Sequence, residues 1–215
     1  KISFTGSTSV GKQLAAIAGL HMKRATMELG GHAPAIVFND ADVAKAAAVL
    51  SGSKYRNAGQ VCVSPTRLLV QDKVYNEFVE KFVEGTKGFK VGNGLDPDSK
   101  MGALANPRRV TAIEGMVQDA VAKGAKLKAG GHRIGNKGYF FEPTVITDVP
   151  KDARAMNEEP FGPLALISPF STFDEVAEEA NRLPYGLASY AFTSSTKTAT
   201  ALGSAIESGM VAING

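Results

Sequence analysis

From end to end the chain alternates short apolar or β-branched runs with longer segments whose apolar residues recur at helical spacing. That alternation restricts it to the α/β class, with a mostly parallel, twisted sheet carrying helices on both faces. The opening run KISFT reads as a strand. GSTSVG follows as a turn, and residues 12–19 read as a helix that Ser7 or Thr8 can cap. Residues 25–29 form a second strand that stops at Gly30-Gly31, and residues 34–38 a third, ending in Asn39-Asp40-Ala41-Asp42, which caps a helix over 43–55. Residues 56–65 break the regularity before a strand over 66–70, so Cys62 is expected at or near a loop. Helices are predicted over 74–89, from Val74, Phe78, Phe82 and Val83, and over 107–123, from Val110, Ile113, Val117 and Val121. A buried strand over 164–168, a helix over 172–183, a strand over 189–193, a helix over 197–208 and a closing strand continue the pattern. The chain opens directly in one strand, without methionine, and closes in another, which predicts a segment of a longer protein.

Composition narrows the function classes. The 24 basic and 21 acidic residues are interspersed and leave a net charge of +3, so no basic stripe or tail points to nucleic acid. No apolar run reaches the length of a membrane span, and no signal-type segment opens the chain, so a cytoplasmic location is expected. A single cysteine cannot form an internal disulfide. The three histidines, His21, His32 and His132, lack metal-ligand spacing, so no metal site is predicted.

Two residues stand out chemically. A lone cysteine is most often a small core hydrophobe. Cys62, however, follows Gly59-Gln60-Val61 on a turn leaving a helix, where backbone amides and partial exposure favour a thiolate. Glu28 lies between Met27, Leu29 and two glycines. It reads either as a strand-end ion-pairing residue or, if buried beside an apolar cleft, as a base whose proton affinity is raised toward neutrality. A rival class enters with residues 6–12, GSTSVGK, which match the GxxxxGK phosphate loop, with Asp40 after an apolar strand as its metal-holding partner. Gln13 stands where that motif needs a hydroxyl for magnesium, which weighs against a nucleotide hydrolase.

Together the blocks FTGSTSVG (4–11), MELGG (27–31), GQVC (59–62), EEPFGP (158–163) and GMVAING (209–215) resemble the aldehyde dehydrogenase superfamily, in its order and spacing. The resemblance implies that Cys62 attacks the aldehyde and that the thiohemiacetal passes hydride to NAD or NADP. It implies that Glu28 then activates the water that hydrolyses the thioester. It further implies that Ser7 faces the cofactor pyrophosphate, that Glu159 binds the nicotinamide ribose and that Phe161 packs near the nicotinamide. RNAGQVC and MELGGHAPAIVF are most similar to succinate-semialdehyde dehydrogenases, in which an arginine at the position of Arg56 holds the distal carboxylate of the substrate. On this resemblance residues 1–29 are the tail of the cofactor-binding domain and residues 30–215 the catalytic domain, from a parent protein expected to be a homo-oligomer acting on a small aldehyde. Ser64 stands where some relatives carry a second cysteine, which excludes a local disulfide switch. A noncatalytic relative with a structural cysteine remains the third alternative.

Overall fold

The computed structural model describes residues 1–215. Its strands are β1 (Ile2–Thr5), β2 (Ala25–Glu28), β3 (Ala33–Val37), β4 (Pro65–Gln71), β5 (Lys126–Ala129), β6 (Thr144–Thr147), β7 (Leu164–Phe170), β8 (Ala188–Phe192) and β9 (Met210–Ile213). Its α-helices are α1 (Thr8–Leu20), α2 (Val43–Tyr55), α3 (Tyr75–Lys87), α4 (Pro107–Ala122), the single turn α5 (Arg154–Asn157), α6 (Phe173–Asn181) and α7 (Thr196–Ala205). β1 and β2 pair in parallel as a two-stranded sheet of their own. The other seven run in the order β5-β6-β7-β4-β3-β8-β9, parallel except for the antiparallel β5–β6 pair.

The seven-stranded sheet is sandwiched, as the alternation predicts. Side chains of a strand alternate between faces. Ala35, Val37, Leu68 and Val70 accordingly point into one core, built with α2, α3 and α4 through Leu50, Phe78, Phe82, Val110 and Ile113. Ile36, Phe38 and Leu69 point the other way, into a second core with Val176, Ala180 and Leu202 of α6 and α7. Burial on both faces explains why the central strands read as continuous apolar runs.

Differences from expectation fall where the pattern is weak. The edge strand β5, with sequence KLKA, is largely exposed and offers no apolar alternation, so nothing in its sequence announces a strand. α1 begins at Thr8, four residues before the expected start at Lys12. Ser7 is its N-cap, but the Ser7 side chain makes no capping bond. The helix over 43–55 has the expected bounds, with the Asp42 carboxylate accepting the Lys45 N–H as its cap.

One buried polar knot orients the segment that leads to the site. Arg67 on β4, 2% exposed, donates to the carbonyls of His32, Glu179 and Ala180 and to the Glu179 carboxylate. Glu179 also receives Arg182, which reaches Asn157 Oδ1 and the Met156 carbonyl, while His32 Nε2 contacts the Ala155 carbonyl. α5 is thereby tied to β4 and α6, and the chain leaving it runs straight into Glu158 and Glu159.

Candidate active site

The approach to Cys62 is the least regular part of the structure. α2 stops at Tyr55, and Asn57 (φ 51°), Ala58 (φ 54°) and Gly59 (φ 70°) then turn left-handed in succession. Only glycine adopts that region without a steric penalty. A Cβ at Gly59 would run into the carbonyl of Gly162, so the GQVC and EEPFGP segments touch through their glycines. Gln60 staples the approach from outside: its Nε2 donates to the Asn57 carbonyl at 3.1 Å and its Oε1 accepts the Ala105 N–H at 2.8 Å. The Ser64 N–H then bonds the Val61 carbonyl at 2.9 Å, closing a turn that presents Cys62 exposed.

Below that turn lie two side chains that the sequence did not single out. Tyr190 on β8 donates its hydroxyl to the Val63 carbonyl at 2.6 Å. Lys54, 1% exposed in the last turn of α2, donates to Ser64 Oγ at 3.3 Å and Thr66 Oγ1 at 3.4 Å. Neither signal was legible, because a lysine or tyrosine at such positions looks like a helix end or a strand residue until the fold folds it under the turn.

A cleft of about 540 Å³ opens over Cys62, lined by Thr5, Gly6, Ser7, Glu28, Leu29, Gly30, Gln60, Val61, Arg109, Glu159 and Phe161. Five of the six residues singled out from sequence, Cys62, Glu28, Ser7, Glu159 and Phe161, therefore share one cavity. The MELGG glycines make this possible: a Cβ at Gly31 would sit 2.5 Å from the Cys62 carbonyl, and one at Gly30 would strike the Glu159 carboxylate. Arg56 does not line the cleft. It is exposed beside the turn, and its charge opposes the burial that raises the pKa of the Tyr190 phenol.

Glu28 ends β2, and its carbonyl accepts the Gly6 N–H at 3.0 Å. It is exposed on the cleft wall, not buried beside it, because the two-stranded sheet leaves this strand end open. Glu159 is the carboxylate with a raised pKa. Burial raises it, opposed by the Gly31 N–H, which donates to Oε1 at 3.1 Å, and by the charges of Arg109 and Lys54. Arg109 on α4 was also unread; it donates to the Pro160 carbonyl at 3.1 Å and lines the cleft. Phe161 holds a left-handed φ of 43°, so backbone strain lies on both sides of the cavity.

The phosphate-loop alternative fails on geometry. Such a loop wraps a phosphate with the backbone of all the residues between its glycines, whereas here Thr8 to Lys12 are already helical. Asp40 is engaged as well, accepting from Thr193 Oγ1 at 2.9 Å and from Ser194 Oγ at 3.0 Å.

The cleft does suit a dinucleotide. No acidic residue occupies the first turn of α1, and the Ser7 hydroxyl leaves the N-terminal N–H groups free for an anion. The Thr8 hydroxyl is buried without a partner. Glu159 offers a half-buried carboxylate, suited to paired hydroxyls.

A sequence model of the aldehyde dehydrogenase family matches residues 1–215. The chain is 50% identical over 214 residues to the "Probable succinate-semialdehyde dehydrogenase [NADP(+)]" of Sinorhizobium fredii, covering 100% of itself and 44% of that protein. It is 44% identical over 215 residues to the 4-(hydroxymethyl)benzenesulfonate dehydrogenase of Comamonas testosteroni, again covering 100% of itself and 44% of its relative. Among solved structures, an E. coli NADP-dependent enzyme superposes with a TM-score of 0.96 at 42% identity, over 99% of this chain and 44% of the other. The chain thus spans less than half the length of the relatives it matches. No helix is long and apolar enough to cross a membrane.

Proposed function

The chain belongs to the aldehyde dehydrogenase family, and from that premise we propose that it is the catalytic portion of an NAD(P)-dependent enzyme oxidising a small aldehyde, foremost succinate semialdehyde, to its acid. Residues 1–29 are assigned to the end of a cofactor-binding domain and residues 30–215 to the catalytic domain. The observation that carries the reading is the convergence of Cys62, Glu28, Ser7, Glu159 and Phe161 on one cleft from four separate stretches of chain.

In this reading Cys62, held out on its turn, attacks the carbonyl carbon, and the turn's irregular approach fixes the direction from which its sulfur does so. Ser7 and the start of α1 hold the cofactor pyrophosphate, Glu159 the nicotinamide ribose, and Phe161 flanks the ring. When bound, NAD or NADP supplies the hydride acceptor. The acyl group left on Cys62 is a thioester, and Glu28 takes the proton from the water that hydrolyses it. The open position of Glu28 leaves room for that water. Arg56, beside the turn but outside the cleft lining, supplies a guanidinium for the distal carboxylate of a semialdehyde. Names of relatives in both the semialdehyde and the sulfonate series support an aldehyde with a distant anion.

The test is formation of reduced cofactor by the full-length protein with succinate semialdehyde and with an uncharged aliphatic aldehyde, beside Cys62→Ala and Arg56→Ala. Expected are loss of all turnover in the cysteine variant and loss confined to the semialdehyde in the arginine variant. Turnover surviving in Cys62→Ala removes the mechanism, equal losses on both substrates in Arg56→Ala remove the substrate assignment, and no reduced cofactor from any aldehyde with the unaltered protein leaves a noncatalytic relative.

A further inference from the structure

Lys54 is the one fully buried amine of the structure, and the reaction as written makes no use of it. It forms no ion pair, and its hydrogen-bond acceptors are two hydroxyls, Ser64 Oγ and Thr66 Oγ1. Ser64 Oγ lies at 3.5 Å from the Lys54 carbonyl as well, so this residue, two after the cysteine, bridges both ends of Lys54. Burying an ammonium without a carboxylate costs several kcal/mol in order of magnitude, and an apolar side chain of similar length would fill the same space without that cost. The hydroxyls do not need it either, since Thr66 Oγ1 already donates to the Ser64 carbonyl at 3.1 Å. What a methionine would lack is the charge.

That charge lies beneath the turn, outside the cleft lining, and acts on a residue of the cleft. The carboxylate it acts on is Glu159, from the segment before β7, and the two hold each other in their charged forms against burial. Burial, opposed by the Glu159 charge, draws the Lys54 ammonium down to about 7. The other ionisable groups around the pair are Arg109 of α4, which acts on Glu159, Tyr185, whose phenol meets the Glu159 backbone and feels its charge, and His32 before β3, which Lys54 and Arg67 of β4 help keep neutral. Cys62 and Glu159 lie in the same cleft, and Lys54 is joined to the turn of the first by hydrogen bonds and to the second by charge.

We propose that Lys54 is a positioning residue of this site: through Ser64 it braces the turn that presents Cys62, and its buried ammonium supports Glu159 in holding the cofactor. The proposal rests on the reading above that Glu159 binds the nicotinamide ribose. Its sign follows directly. Without the Lys54 charge the Glu159 carboxyl holds its proton to higher pH, so cofactor affinity falls away earlier as the solution is acidified. At alkaline pH Lys54 is itself neutral, Glu159 stays ionised with the Gly31 N–H and Arg109, and the variant matches the parent.

The experiment measures reduced-cofactor binding to the full-length protein by fluorescence from about pH 5 to about pH 8, alongside the alkylation rate of Cys62 and the melting temperature. Lys54→Met is expected to melt close to the parent but to move the acid limb of binding upward by about half a pH unit, which is about threefold in Kd on that limb. Lys54→Arg, which keeps the charge, restores the limb. Ser64→Ala leaves the limb in place and changes the alkylation rate, which separates the brace from the charge. Should Lys54→Met fail to fold, Lys54→Gln removes the charge while keeping a hydrogen-bonding group, and the same curve decides. A binding curve for the uncharged variant that superimposes on the parent's at every pH overturns the proposal. Glu159→Gln distinguishes the two levels of failure. If it leaves cofactor affinity unchanged throughout, the ribose reading falls and the Lys54 proposal falls with it; if it weakens binding while Lys54→Met does nothing, only the proposal falls.

Discussion

β4 and the approach to Cys62 are neighbours in the chain and opposites in how they are held. β4 lies in the middle of the sheet, buried at six consecutive positions, paired with β3 on one side and β7 on the other, with its side chains shared between two cores. Each of its residues adopts a conformation it would choose unaided, and burial adds to that choice. Asn57, Ala58 and Gly59, a few residues earlier, hold a backbone that two of them disfavour, fixed by neighbours: the Gly162 carbonyl, the Ala105 N–H through Gln60, Tyr190 and Lys54. Regular structure carries its own stability, whereas the seat of Cys62 borrows it from elements far away in sequence. Strain of this kind, of the order of 1–3 kcal/mol per residue, persists only where surroundings over-determine it.

The largest effects should separate stability from reactivity along that line. Leu68→Ala removes a fully buried side chain from β4 and is expected to cost about 2–5 kcal/mol of unfolding free energy, while Cys62 in the folded protein alkylates at the parental rate. Gly59→Ala combines a left-handed penalty of about 1–2 kcal/mol with overpacking of about 1–3 kcal/mol against a backbone carbonyl, and should change the alkylation rate as well. Denaturant melts paired with thiol kinetics check both. If the two variants behave alike in thiol kinetics, the approach is not the separately held unit described here.

The same contrast explains what was legible in the sequence. The alternation of elements, the bounds of α2 and the burial of β7 follow from local preference and periodicity, and these survive folding unchanged. Four of the five motif blocks mark most of the cleft because their glycines are where distant segments touch, although only the fold shows that Gly59 meets Gly162 and that Gly31 meets the Cys62 carbonyl. Lys54, Arg109 and Tyr190 were invisible because their roles depend on which strand or helix lies beneath the turn, and that is a matter of tertiary placement. Whether Glu28 is buried cannot be read from its apolar neighbours in sequence, because the open end of β2, a matter of tertiary placement, leaves it exposed.

A smaller effect lies at the junction of the two regions. His32 immediately precedes β3, 1% exposed, with Nε2 against the Ala155 carbonyl and Nδ1 unpartnered. Burial, with the charge of Arg67 next, lowers its pKa from 6.5 to about 3. The folded form therefore binds the proton less readily than the unfolded chain. The stability this contributes is present above pH 6.5 and is lost as pH falls from 6.5 toward about 3. Acidifying from pH 6.5 to about pH 5 should cost about 2 kcal/mol from this group alone, and His32→Gln should flatten that part of the stability curve whatever it does to stability at neutral pH. An unchanged slope would mean that the proton is taken up elsewhere at this junction.

The finest test uses one substitution at two places. Ala46 in α2 and Ala58 in the approach are both buried alanines, 0% and 1% exposed. Replacing either with glycine removes one methyl, about 0.8 kcal/mol of burial, and loosens the unfolded chain. In the helix these two losses, the second of which is what makes glycine a poor helix former, should make Ala46→Gly cost about 2 kcal/mol in all. At Ala58, where φ is 54°, glycine also relieves the left-handed penalty of about 1–2 kcal/mol, so the losses are largely offset and the net change should lie within about 1 kcal/mol of zero. The difference between the two variants measures the strain stored before Cys62, free of the methyl and chain-entropy contributions they share. Equal costs would mean that Ala58 carries no such strain and that the approach, for all its irregular backbone, is as relaxed as the helix it leaves.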